Sequence, residues 1–227
     1  MEKKRNRLLI IASSLVVLLP MIPGIILWNR LPDRMATGFD FSGAVNNYGS
    51  KGFAAVGLYI MLLAIHLFVV FFSSLQEKDF EKSKAAGMIM LICPMVSVLL
   101  AICIYGYALG KKIEIMPLVM LFLGFMYLII GNYLPKIRRN YLVGIKVKWT
   151  LESDRNWDST ARFSGYLMFI AGLLMVIAGM ISFFDVIPYA MSFVLVFVIS
   201  FVPVFAMVWY SYKYYCKHKD EADYFNR

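Results

Sequence analysis

The chain has 227 residues, of which 61% are hydrophobic and only 16% charged, and its formal net charge is +9. A soluble domain is about half apolar with roughly a quarter of its residues charged. The composition therefore excludes an ordinary soluble domain and makes bilayer spans the unit to count.

In chain order, six apolar stretches reach the roughly 17–25 residues that a bilayer requires: 8–28, 53–74, 85–109, 115–134, 163–184 and 188–212. Each is predicted to be helical, since lipid offers no partner to a free backbone amide. The expected fold is an all-α integral membrane protein with six transmembrane helices. It divides into an amino-terminal module, 1–112, with three spans and the loop 29–52, and a carboxy-terminal module, 113–227, with three spans and the loop 135–162.

The opening run MEKKRNRLLIIASSLVVLLP begins like a secretion signal, but its apolar stretch is too long and no Ala-x-Ala-like site follows. It is read as a retained first span that also targets the chain. PMIPG, with Pro20, Pro23 and Gly24, predicts a kink near the far end of that span. Pro94 and Pro203 do the same in the third and sixth, as is ordinary in membrane helices.

With the N-terminus in the cytoplasm, the inner segments 1–7, 75–84, 135–162 and 213–227 hold 4, 3, 7 and 4 Lys and Arg, eighteen of the 23. The outer segments hold only Arg30, Arg34, Lys51, Lys111 and Lys112. Such asymmetry predicts both termini in the cytoplasm. The basicity is thus a topology signal, and direct nucleic-acid binding is not needed to explain it. Cys93 and Cys103, ten residues apart on one helix, are about 15 Å from each other, and Cys216 falls on the reducing side. No disulfide framework or metal-ligand spacing results.

The loop NRLPDRMATGFDFSGAVNNYGSKG (29–52) is the one sizeable outer segment, and its Gly, Asn and Asp predict repeated turns. GKKIE and the turn at Asp185 are too short to form a site alone. The fifth span carries Gly165, Gly172 and Gly179 at intervals of seven, a smooth stripe for close helix approach. A foreign helix is one candidate for that stripe. The sixth span, joined through the Asp185 turn, is the expected partner.

Inside the spans there is no Asp, Glu, Lys or Arg, and His66 is the one readily ionisable group. Buried carboxylates of the kind that ion-coupled transporters use are missing, as are paired intramembrane Asp and the HExxH motif. The reading is non-enzymatic, with no catalytic residues, cofactor or metal. His66 is either a proton-sensitive switch or peptide contact, or a neutral imidazole bonded to a neighbouring helix.

Residues 135–162, PKIRRNYLVGIKVKWTLESDRNWDSTAR, combine seven basic side chains with rings. Tyr133, Tyr141, Trp149 and Trp157 suit the headgroup zone, and the basic groups suit an anionic leaflet. Physics alone gives a cytoplasmic loop lying on the membrane, partly structured, with the lipid bilayer as its partner. That account has no use for Asn140, Gly144 or the Trp-Thr-Leu order.

GNYLPKIRRNYLVGIKVKWTLESDRNW resembles the signature region of the SdpI family of bacterial membrane proteins. In that family a Gly-Asn pair closes a span, followed by Pro-Lys, an Arg and Asn, Gly-Ile-Arg/Lys, Trp-Thr-Leu and a further Trp. Gly131, Asn132, Pro135, Lys136, Arg139, Asn140, Gly144, Ile145, Lys146, Trp149, Thr150, Leu151 and Trp157 match. The outer loop is similar to a Leu-Pro…Gly…Ser-Lys module often joined to it, through Leu31, Pro32, Gly43, Tyr48, Ser50 and Lys51. This chain departs from the pattern at Gly38 and at Ala161, where relatives usually carry His. It departs again at Lys146-Val147-Lys148, where Arg-Thr-Pro is common.

The resemblance implies immunity to a secreted, membrane-active peptide toxin in the bacterial cell membrane. It also implies signalling by holding a cytoplasmic transcriptional repressor at the membrane. The side chains assigned to toxin contact are Asp33, Asp40, Asn47, Tyr48 and Lys51, whose simpler role is loop solvation and turn formation. Arg138, Arg139, Lys146 and Lys148 around Trp149 are assigned to the repressor. A small-solute transporter is the third reading and rests on span count alone.

Overall fold

The computed structural model describes residues 2–40, 43–76, 84–140, 142–184 and 186–219, without the side chains of 2–7 and of Lys84. Tyr141, the Asp185 turn, most of the segment 75–84 and residues 220–227 lie outside these residues.

The helices are α1 (Glu2–Leu18), α2 (Met21–Ile26), α3 (Leu58–Gln76), α4 (Lys84–Ala108), α5 (Ile115–Tyr133), α6 (Lys148–Leu151), α7 (Asp154–Ser182) and α8 (Tyr189–His218). Among the described residues six stretches are long and apolar enough to cross a bilayer: Leu8–Ile26, Phe53–Gln76, Ala85–Ala108, Ile115–Lys136, Asp154–Ser182 and Tyr189–His218. Their outward surface is hydrocarbon, as with Phe68, Phe184 and Phe205, which are 65%, 79% and 72% exposed. Only lipid makes that surface favourable. The fifth helix starts nine residues before the expected 163 and the sixth runs six residues past 212. Hydropathy ended both too soon, because their tract-side turns carry charged and polar side chains.

The kink expected at PMIPG is a break. Pro20 offers no N–H to a continuing helix, and the chain restarts as α2 after it. Carbonyls on both sides of the break are held by α4: Ser97 donates to Val17 O at 2.7 Å and Tyr105 to Pro20 O at 2.9 Å. Tyr105 also lies 3.3 Å from Ala55 O, at the single π-helical turn Phe53–Gly57 that precedes α3. His66 is buried with Nε2 2.9 Å from Ser13 Oγ, linking α3 to α1.

The loop expected to turn repeatedly forms an antiparallel hairpin, β1 (Arg34–Phe39) and β2 (Val45–Ser50). It is the one departure from helix of that kind among the described residues. Met35 and Ala36 are buried in a cluster with Leu31, Ala54, Ala55, Tyr59, Ile104 and Tyr105, so β1 is held down by apolar contact. At its tip Asp40 N–H donates to Ala44 O at 2.8 Å, Ala44 N–H returns to Asp40 Oδ1 at 2.9 Å, and Gly43 takes φ 79°.

The glycine stripe packs on α5, not on the sixth span as its chain neighbourhood suggested. A Cβ on Gly172 would lie 2.7 Å from Leu128 N and 2.8 Å from Gly124 O. One on Gly131 would lie 2.6 Å from Phe169 N and 2.8 Å from Gly165 O. α5 carries its own seven-residue pair, Gly124 and Gly131, so the two helices meet backbone to backbone. α8 presents no such surface. It touches α7 through side chains, with Phe163 and Tyr210 stacked at 4.2 Å and the Ser182 and Ser192 hydroxyls 2.9 Å apart.

Gly131→Ala or Gly172→Ala should therefore cost about 1–3 kcal/mol through overpacking. Gly87→Ala, where a Cβ meets nothing within 4 Å, should be neutral or stabilising by up to about 1 kcal/mol. Thermal unfolding of the purified chain in detergent checks both. Equal melting temperatures for all three would contradict the backbone contact.

Candidate functional site

The two ends of the helical bundle differ in chemistry. One carries the hairpin; the other carries the tract from Leu134 to Ser153 and the adjoining ends of α7 and α8.

At the hairpin end, Lys51 Nζ lies 3.2 Å from Asp33 Oδ1 and 5.4 Å from the Trp28 ring centroid, while Lys51 N–H donates to Asp33 O at 2.9 Å. Asp33 and Lys51 thus close the base of the hairpin. Asp40 is at its tip, seven residues and about 23 Å of strand away. Asn47 and Tyr48 lie on the exposed strand between. The five side chains assigned to toxin contact share one hairpin without converging on one point. Tyr48 is half exposed, and a hydrogen bond with the Tyr107 side chain pushes its phenol above the ordinary value, so it remains neutral through physiological pH. Phe39 meets the same Tyr107 ring edge-on at 5.9 Å, which fixes the hairpin to the end of α4. A side chain at Gly38 would collide with Asn46 Oδ1, 2.6 Å from the added Cβ. An imidazole in that position therefore requires Asn46 to move.

The tract is a folded structure, where physics alone predicted a surface-lying segment. Asn140 organises its first turn: its Oδ1 accepts from Leu142 N–H (2.7 Å) and Val143 N–H (2.8 Å), and its amide donates to Arg138 O (2.7 Å). This is the Asx pattern that lets Asn replace a backbone partner. Gly144 follows at φ 131°, with the Trp157 ring 2.6 Å from where a Cβ would be. Left-handed backbone and close approach both demand glycine there. Thr150 donates to Ile145 O at 2.6 Å and accepts from Val147 N–H at 3.2 Å, closing the start of α6.

Both tryptophans are used inward. Trp157 is buried and its indole N–H donates to Ile137 O at 3.0 Å. Trp149 donates to Ser211 Oγ at 2.9 Å, and its ring lies 5.2 Å and 6.1 Å from those of Tyr212 and Tyr215. The headgroup-zone role expected of Trp157 is therefore overturned: water or lipid would cost its N–H a sound partner inside the protein. Arg139 is likewise structural, with Nε 2.9 Å from Asp154 Oδ1 and a guanidinium N–H donating to Leu151 O at 2.8 Å. Lys136 reaches Asn132 Oδ1 at 2.7 Å, Lys146 donates to Leu142 O at 3.3 Å, and Pro135 packs on Gly165. Arg138 and Lys148 are exposed. Ala161 lines a cavity of about 10 Å³ beside Trp157, Thr150 and Thr160.

Sequence reasoning missed Asn156 and Ser211. Asn156 is fully buried, donates to Ser211 O at 3.2 Å and Trp149 O at 3.4 Å, and accepts from Thr160 Oγ1 at 2.9 Å. Ser153 caps α7 by accepting from Asn156 N–H at 3.2 Å. The available signal was Ser-x-x-Asn at the α7 start and a lone Ser in the aromatic-rich run WYSYKYY. No group of three or more His, Cys, Asp or Glu among the described residues is placed to hold a metal. The tract presents basic and aromatic side chains on a folded backbone.

Gly144→Ala should lose about 1–3 kcal/mol from backbone strain, added to the ring clash, and lower the melting temperature. Trp149→Phe, which keeps the ring but drops the bond to Ser211, should lose about 0.5–1.5 kcal/mol. The exposed Lys148→Gln should be within about 0.5 kcal/mol of the unaltered chain in the same melt.

Comparisons with known proteins agree with these two regions. Residues 136–211 match the model of the SdpI/YfhL protein family, and residues 15–63 match a domain of unknown function, DUF1648. The chain is similar to the immunity protein SdpI of Bacillus subtilis (strain 168), 26% identical over 215 residues, covering 91% of this chain and 96% of that one. No solved structure matches. With the folded tract and the α7–α8 pair inside the matched segment, residues 136–211 of this multi-pass membrane protein are similar to the SdpI/YfhL family.

Proposed function

We propose that the chain is a non-enzymatic immunity protein of the bacterial cell membrane, which binds a secreted, membrane-active peptide toxin at its outer face. The observation that carries this reading is the similarity to an immunity protein along nearly the whole of both chains. Orientation follows from charge: the tract end holds most of the Lys and Arg and faces the cytoplasm, as both termini do. The hairpin then faces outward, fastened by Phe39 and Tyr107 at one side and by Lys51 over Trp28 at its base. Its exposed Asp33, Asp40, Asn47 and Tyr48 meet a peptide before it enters the bilayer. Rigid fastening favours binding because less freedom is lost on association. The two modules, 1–112 and 113–227, divide the work, the first facing the toxin and the second carrying the cytoplasmic tract.

A second reading is favoured by one observation. Arg138 and Lys148 stay exposed on the tract, at the end of the bundle that also carries the ordered Trp149, Tyr212 and Tyr215 group, a surface suited to holding a soluble repressor. Arg139 is withdrawn from that role by its pairing with Asp154. Solute transport has no such observation behind it.

The test is a dye-reported membrane potential in sensitive cells, with and without the chain, challenged with secreted peptide fractions from toxin-producing bacteria. A potential that holds only when the chain is present supports immunity, and Tyr48→Ala with Asp40→Ala should then weaken protection at least tenfold in peptide dose. A potential that collapses equally, with the chain shown in the membrane, would sink this reading. Charge reversal at Arg138 and Lys148 should leave protection intact and abolish co-purification of a soluble partner.

A further inference from the structure

A groove of about 680 Å³ runs along the bundle between α1, α4 and α5. Leu9, Gly87 and Tyr133 line it toward the tract end, and Val16, Ile102 and Leu118 toward the hairpin end. Gly87 to Ile102 and Leu118 to Tyr133 are each fifteen residues, so the groove is about 22 Å long at 1.5 Å per residue. That covers most of a hydrocarbon core roughly 30 Å thick. Only Ser13 and Tyr133 among its lining side chains carry a hydroxyl, and that of Ser13 is already engaged. It donates to Ile10 O at 3.0 Å and lies 2.9 Å from the buried His66.

Size narrows the occupant. An α-helix about 10 Å across and 22 Å long fills roughly 1,700 Å³, so a helix of a second copy or of a peptide could lay only one side in this space. A slender hydrocarbon chain enters it fully. Charge narrows it further. The first two turns of α1, just before Leu9, carry Lys3, Lys4, Arg5 and Arg7 against the single Glu2. Basic residues beside an apolar surface recruit anionic lipid headgroups.

We propose that the groove is a site for one anionic phospholipid, an acyl chain lying along α4 and α5 and the headgroup at the basic start of α1. The lipid then fills the seam where α4 and α5 line a shared space with α1. This site is independent of any toxin and stands or falls without the immunity reading.

Native mass spectrometry of the full chain in detergent, titrated with phosphatidylglycerol or with phosphatidylcholine of the same acyl chains, tests it. The unaltered chain should keep one phosphatidylglycerol at activation energies that strip further lipids, with at least tenfold preference over phosphatidylcholine. Gly87→Leu should lose that lipid without loss of fold, because a side chain there meets open space. Val98→Trp, filling the groove from farther along α4, should do the same, and lipid-free melting temperatures confirm that both variants fold. Replacing Lys3, Lys4, Arg5 and Arg7 together by Gln should erase the headgroup preference while one lipid stays bound. Three results overturn the proposal. They are equal retention by the filled and unaltered chains, equal retention of the two lipids by the unaltered chain, and a dimer that only the groove-filling variants dissociate.

Discussion

The direct contact of backbone with backbone between α5 and α7 is the constraint on which the rest of the structure depends. In a bilayer, apolar side chains gain little by leaving lipid for one another, so helices associate where shape lets them approach closely. Gly124 and Gly131 on one helix and Gly165 and Gly172 on the other remove the side chains that would hold the axes apart. With that pair fixed, Pro135 comes to rest on Gly165 and the chain leaving α5 must cross the start of α7. The folded tract is built on that crossing.

Within the tract, polar groups do what hydrophobic burial cannot do at a water interface. Trp157 is held by its own N–H to Ile137 O, and Gly144 gives way so that the ring fits. Asn156 and Ser211 are shared among the Trp149 segment, α7 and α8, so three elements are tied through two small side chains. Buried networks whose members are all partnered specify one arrangement. The consequence is a pre-shaped basic and aromatic surface at this end of the bundle.

At the opposite end the hairpin obeys the same rule with different means. Two strands alone are marginal in water. Here β1 is buried on the Leu31–Tyr105 cluster, and Tyr107 meets both strands through Phe39 and Tyr48. Tyr105, two residues before Tyr107, also donates to the Pro20 carbonyl at the break in the first span. The last turns of α4 therefore fix both the broken first span and the hairpin.

Sequence by itself determined the number of spans, their approximate ends and the residues of the family signature, because apolar length and basic clustering are local properties of the chain. It also marked Gly144, Asn140 and the Trp149-Thr150-Leu151 order as more than charge and rings, although not why. Tertiary structure alone decided that the glycine stripe meets α5, since two matching stripes must be brought side by side before either has meaning. It decided that Trp157 faces inward and that Arg139 is tied to its own tract, since their partners, Ile137 O, Leu151 O and Asp154, are ordinary groups until the chain folds back. The hairpin was hidden because Gly38, Asn46, Asn47 and Gly49 read as turn formers, and strand pairing outweighs such preferences once one face is buried. Composition is carried by each residue alone, whereas a site is carried by distances between residues, and those exist only in the fold.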